Sequence, residues 1–261
     1  MDRRTTLERS DFIRRIAGRL GREPLTIAPD RDVTGAPAFY IERPYGADTA
    51  VDRVDRFVSE LKALGGETIV AADNAGAAAA LRSLFDQLKP STIITWDRAE
   101  FSGWDQDWLW DERKAVSWRL VAEQTHDAEG SPAVAAPGTA EAASIAPSLD
   151  DLKAAARGAD IGITLADYAV ANTGTLALVT SPGRARSVSL LPTTHIALLR
   201  ESQIVDRMGQ VLETFNAWTL SEVPSSIHFI SGPSRSSDIE NDLTIGVHGP
   251  VAVYVVLVKG A

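Results

Sequence analysis

The chain has 261 residues, 44% hydrophobic and 23% charged, with a net charge of −9 and a pI near 5.0. That is enough apolar material for a sizeable core, and the acidic balance argues against nucleic-acid binding along a phosphate backbone. Cysteine is absent, which excludes disulfides, Cys-ligated zinc, Cys-ligated iron–sulfur clusters and a thiol nucleophile within this chain.

From the N-terminus, Leu7, Phe12, Ile13, Ile16 and Leu20 recur at helical spacing and predict an amphipathic helix over 6–20 that stops near Gly21. Residues 1–9 are charged and lack the apolar centre of a secretory signal, and no apolar run reaches the ~18 residues that span a bilayer. A cytoplasmic location is therefore expected. Pro24, Pro29, Pro37 and Pro44 make 22–47 an irregular arm. Two regions result: an N-terminal helix with its Pro-rich arm, 1–47, and an α/β domain, 48–261.

In the second region Val51, Val54, Phe57, Val58, Leu61 and Leu64 form one helical face, ended by Gly65-Gly66. A strand at 67–71, an Ala-rich helix at 75–88 and a strand at 92–95 follow. This β–α–β alternation is the pattern of a parallel sheet covered by helices. Five of the six tryptophans fall within 96–120, among Asp105, Asp107, Asp111 and Glu112. Acidic companions oppose base stacking, so this segment is a packed or interface-forming insertion. Residues 127–147 are mostly Ala, Pro, Gly and Ser and form a flexible loop. Ser148 and Asp151 have capping-box spacing at the head of the next helix. Strands are expected at 160–164, 176–180, 187–191, 195–199, 226–230 and 251–258, with a helix over 204–218. The last strand is nearly all Val and Leu, as in a strand buried on both faces.

Polar loops interrupt these apolar runs. In the first, Asn172-Thr173-Gly174-Thr175, a glycine free to take positive φ sits between hydroxyls. It serves equally as a strand connection or as a carboxylate or phosphate cradle. The second joins Ser181–Arg186 to Leu191–His195. Arg184 or Arg186 offers a guanidinium for an oxyanion, and His195 a base, a donor or a structural hydrogen bond. The third, Ser231-Gly232-Pro233-Ser234-Arg235, leads to Ser237 and Glu240 at capping-box spacing, which predicts a helix start. The fourth, Gly246-Val247-His248-Gly249-Pro250, lets backbone approach a neighbour closely. His195, His248, Asp238 and Glu240 have no metal-ligand spacing, and no metal site is expected. No catalytic triad is assignable, so the catalytic residues stay open.

In this order and spacing, Ala166–Thr175, Ser189–Ile196, Ser231–Glu240 and Gly246–Pro250 resemble the lactate utilisation protein C family, whose members carry a LUD domain. The resemblance is carried by the C-terminal ~110 residues. It implies an α/β fold, a three-layer sandwich of the sugar-phosphate isomerase and CoA-transferase type. It also implies a part in oxidising L-lactate to pyruvate beside iron–sulfur partner proteins. Without cysteine, the clusters belong on those partners and this chain carries no cofactor of its own. The expected role is an accessory, non-redox subunit that binds a small carboxylate or phosphate-bearing ligand. Its ligand-binding residues would be Asn172, Thr173, Gly174, Thr175, Arg186, His195, Gly232, Ser234, Arg235 and His248. The chain departs from the family pattern at Asn172, where relatives usually carry an acid.

Two other readings stand beside this one. A free-standing enzyme of the isomerase, CoA-transferase or cyclo-ligase type would need a nucleophile such as Glu240. A purely structural scaffold for redox partners would use the arm and the tryptophan cluster, which also allow a homo-oligomer.

Overall fold

The computed structural model describes residues 9–19, 21, 53–119, 147–219, 223–237 and 243–260. The Pro-rich arm, nearly all of the Ala/Pro loop, and Asp238 and Glu240 lie outside them. The chain divides into two compact units, Met1–Ala47 and Asp48–Ala261. In the first, helix α1 (Arg9–Arg19) has Arg19 in its last turn and Gly21 at φ +62° beyond it.

The second unit opens with α2 (Arg53–Ala63), which buries Val54, Phe57 and Leu61. Gly65 and Gly66 donate to the carbonyls of Lys62 and Leu61 and end it. Strand β1 (Glu67–Ala71) leads to α3 (Asn74–Leu88), whose N-cap Asp73 accepts from the Gly76 N–H. Next come β2 (Ile93–Thr95), the short α4 (Trp108–Asp111) and β3 (Val116–Ser117). Helix α5 (Leu149–Gly158) starts at the Ser148–Asp151 capping box, in which each side chain satisfies the other's backbone N–H. Then follow β4 (Ile161–Leu165), β5 (Tyr168–Val170), β6 (Thr175–Val179), α6 (Ser187–Leu190) and β7 (Thr194–Arg200). The chain closes with β8 (Ile204–Val205), α7 (Met208–Asn216), β9 (Ile227–Ile230), β10 (Arg235–Ser237), β11 (Leu243–Ile245) and β12 (Ala252–Val258).

This is a mixed α/β fold on a parallel central sheet of order β1-β12-β7-β4-β2-β3. A second sheet, β8-β5-β6-β9, is mostly antiparallel, and β10 pairs with β11 as a hairpin. Central strands β4 and β7 are buried nearly throughout, which is why they read as unbroken apolar runs. Among the described residues no helix is long and apolar enough to cross a membrane.

Three expected elements differ. Ser187–Leu190 is helical, because a backbone carbonyl of that turn settles onto Gly162 of β4, where a side chain would block it. The helix expected from Ile204 starts at Met208. Ile204 and Val205 first pair with Ala169 and Val170, and Arg207 begins the helix with Gln210 capping its N–H. The third loop does not run straight into a helix either: Arg235–Ser237 is the first arm of the β10–β11 hairpin, so Ser237 pairs with Leu243 in a strand.

The tryptophan segment is packed inward. Trp96, Trp104, Trp108 and Trp118 are buried, and Trp108 meets Phe85 edge to face at 5.4 Å with the Arg82 guanidinium 4.1 Å from its ring centre. Arg82 is held by two hydrogen bonds to Glu112, at 2.6 and 2.7 Å. These rings are core, not an exposed interface.

Candidate functional site

The four polar loops are joined to one another by short contacts. Thr175 shares hydroxyl hydrogen bonds of 2.8 Å with Thr173 and with Ser231, linking the first loop to the third. The Ser234 N–H donates to the Pro250 carbonyl at 2.9 Å and the Gly246 N–H to the Ser234 carbonyl at 2.9 Å, linking the third to the fourth. The Val251 N–H donates to the Thr193 carbonyl at 2.8 Å, linking the fourth to the second. The second and fourth loops precede β7 and β12, so this platform lies at the amino edge of the central sheet. Open parallel sheets usually bind ligands at the carboxyl edge, and the general rule does not locate this platform.

Each expected site residue has a definite place. Gly174 has φ +57° and lies against α2; a Cβ there would stand 2.4 Å from the Leu61 nitrogen. Packing against this helix is enough to require a glycine here. Thr175 is buried and its hydroxyl is saturated by Thr173 and Ser231, which turns it inward as a brace. The Asn172 Oδ1 is buried without a hydrogen-bond partner among the described residues. Gly232, at φ +79°, packs against Leu64, and the Arg235 guanidinium donates to the Leu64 carbonyl. Ser234 sits against Gly249. Arg186 and His248 are exposed.

His195 is fully buried, and its Nε2 is 2.9 Å from the Thr164 hydroxyl on the neighbouring β4. Burial lowers the imidazole pKa to about 3, so it is neutral at physiological pH. Its Nδ1 has no partner among the described residues. This histidine does not reach the surface on which Arg186 and His248 stand.

Beside the platform is a cleft of about 540 Å³ lined by Val58, Lys62, Gly65, Gly66, Glu67 and Thr68. Arg235 borders it, because its guanidinium lies against Gly65. Lys62 makes no ion pair among the described residues; its ammonium and the Arg235 guanidinium flank this opening, and the Glu67 carboxylate shares its lining.

The second loop also holds an ion pair. Of its two arginines Arg184 is the more buried: it pairs with Asp167 at 3.0 Å and covers the Trp96 ring at 4.4 Å. The Asp167 carboxylate also accepts the Val179 N–H at 2.7 Å. Burial nevertheless raises the Asp167 pKa, against the opposing charge of Arg184. Arg186 instead acts on His228, whose pKa is lowered by burial and then by that charge. Sequence patterns do not single out Lys62, because one lysine on a polar helix face looks like an ordinary solvated charge.

The fold and the joined loops define an α/β domain with motif-bearing loops on one sheet edge, and the LUD domain family matches residues 54–258. The chain belongs to that family. It is similar to lactate utilization protein C of Halalkalibacterium halodurans, 31% identical over 95% of this chain and 97% of the relative. The protein of the same name from an Exiguobacterium species is 31% identical over 97% of each. That of Bacillus subtilis is 48% identical over 39% of this chain and 43% of its own length. A solved structure described as a DUF162 family protein from Deinococcus radiodurans is 17% identical, with a TM-score of 0.48, covering 80% of this chain and 99% of that one.

Proposed function

We propose that this chain serves lactate utilisation in the cytoplasm as a non-redox subunit that binds a small anionic ligand beside iron–sulfur partner proteins. Support for the pathway comes from the relatives named lactate utilization protein C, matched over nearly their whole length. The observation that carries the ligand reading is the hydrogen-bonded joining of all four loops beside the Lys62 cleft. In this reading Lys62 and Arg235 neutralise a carboxylate or phosphate, while Arg186 and His248 present a polar face to a partner. Thr173 and Thr175 brace the platform. His195 keeps β4 and β7 in register from inside. With no cysteine in the chain, electrons pass through clusters held by the partners.

The test has two arms. Loss of the encoding gene should abolish growth on L-lactate and spare growth on pyruvate, with the wild-type chain restoring it. Lys62→Gln and Arg235→Gln should each restore it poorly while the protein accumulates normally. Unimpaired growth of the deletion strain would overturn the pathway assignment. Full complementation by both variants would overturn the amino-edge ligand site.

A further inference from the structure

The opposite edge of the central sheet carries a second cleft, of about 410 Å³, whose lining includes Asn74, Ala75, Asp105, Arg200 and Lys259. Neighbouring strands β1, β12 and β7 all deliver their carboxyl ends to it. Two of them end on a cation: Arg200 is the last residue of β7, and Lys259 directly follows β12. This is the edge at which parallel sheets leave strand ends and loops free to hold ligands.

The cations are set differently. The Arg200 guanidinium lies 4.3 Å from the Trp104 ring centre and donates to the Gly103 carbonyl at 2.9 Å. Asn74 Nδ2 donates to the same carbonyl at 2.6 Å. The tryptophan segment thus acts as a wall that orients Arg200 and leaves other guanidinium N–H groups available. The Lys259 backbone is anchored by its N–H to the Ala71 carbonyl at 2.9 Å, while its ammonium makes no ion pair among the described residues. Asn74 and Ala75 contribute the first backbone N–H groups of the fifteen-residue helix α3, which have no acceptor among the described residues. Of the acids nearby, Asp73 is engaged by the Gly76 N–H at 2.7 Å. Asp105, which is exposed, has no hydrogen-bond partner or counter-ion among the described residues and lines the same opening as the two cations.

We propose that this carboxyl-edge cleft binds a small hydroxylated oxyanion. Its carboxylate or phosphate lies between Arg200 and Lys259, and its hydroxyl donates to Asp105. The site does not depend on the amino-edge platform. Only the choice of L-lactate as a probe rests on the pathway reading above.

The full chain is titrated with inorganic phosphate, L-lactate and propionate. Binding is followed by calorimetry and by the Trp104 indole N–H resonance, assigned with Trp104→Phe. Phosphate or L-lactate should shift that resonance saturably, and the arm that responds identifies the oxyanion. Lys259→Gln, at an exposed position, should weaken binding read at Trp104 at least fivefold, whereas Arg157→Gln, exposed in the last turn of α5 and lining neither cleft, should leave it unchanged. If L-lactate responds, propionate should bind at least threefold more weakly, and Asp105→Asn should erase that difference. Saturable phosphate binding without L-lactate binding sustains the site and counts against the lactate reading alone. No saturable shift with either anion, or equal weakening by Arg157→Gln and Lys259→Gln, would overturn the inference.

Discussion

Gly174 and His195 show how a motif residue can be fixed by packing inside the fold. At Gly174, an added methyl meets the Leu61 backbone at 2.4 Å while φ stays at +57°. Left-handed strain and overpacking combine, so Gly174→Ala should destabilise the domain by roughly 2–5 kcal/mol, read from urea midpoints. A loss below ~1 kcal/mol would show that α2 does not press on this turn. His195 gives a pH signature. Its folded pKa of about 3 lies below the ordinary 6.5, so the unfolded chain takes up the proton first as pH falls. Stability attributable to His195 is complete above pH 6.5 and declines between about 6.5 and 3, by up to about 1.4 kcal/mol per pH unit. His195→Gln can retain a hydrogen bond to Thr164 but cannot titrate. Its urea midpoint should fall less between pH 7 and 5 than that of the wild type. Equal slopes would mean that the imidazole is protonated inside the fold. The glycine and histidine were legible in the sequence as special positions, but their roles were not. Positive φ and a strand-end imidazole suit a ligand cradle and a packed interior alike, and only the neighbours from α2 and β4 separate the two.

Among the elements, α2, α3, the Ser148-capped α5, and the strands β1, β2, β4, β7 and β12 were readable from their apolar patterns and caps. The failures are short segments whose state is decided by a partner. Val188-Ser189-Leu190-Leu191 satisfies a strand pattern, yet it forms α6 because Gly162 opens a depression in β4. A Cβ on Gly162 would lie 1.9 Å from the Val188 carbonyl oxygen and 2.8 Å from Pro192. Gly162→Ala should therefore lift α6 and cost about 3 kcal/mol or more. Gly158, the last residue of α5, offers the contrast, since a methyl added there would meet nothing within 4 Å. Gly158→Ala should be neutral or stabilising by up to about 1 kcal/mol, because it restricts the unfolded chain without a clash. Comparable losses from both substitutions would refute the α6-on-Gly162 account. The tryptophan segment was legible as a packed or interface-forming insertion, but its partners were not, since Arg82 and Arg200 reach it from distant α3 and β7.

Across the domain, the central sheet holds two cationic openings apart. β7 has seven residues, and at about 3.3 Å per residue its ends stand roughly 20 Å apart. The amino-edge opening has Lys62 and Arg235, and the carboxyl-edge opening has Arg200 and Lys259. The amino edge was signalled by motifs, because turns rich in Gly, Pro and Ser leave a sequence trace. The carboxyl edge has a fainter signal: one basic residue after each of the apolar runs Ile196–Leu199 and Val255–Val258. Which runs become neighbours is set by the order β12-β7, and no local pattern contains that order. Separation by a rigid, buried sheet has a measurable consequence, because distant sites without shared partners perturb a protein additively. Phosphate affinity in Lys62→Gln, Lys259→Gln and the double variant should close a thermodynamic cycle to within about 0.5 kcal/mol. The carboxyl-edge substitution should account for the loss followed at Trp104. A larger coupling would require the strands to transmit strain from one edge to the other, and β7 and β12 would then act as a lever between two sites.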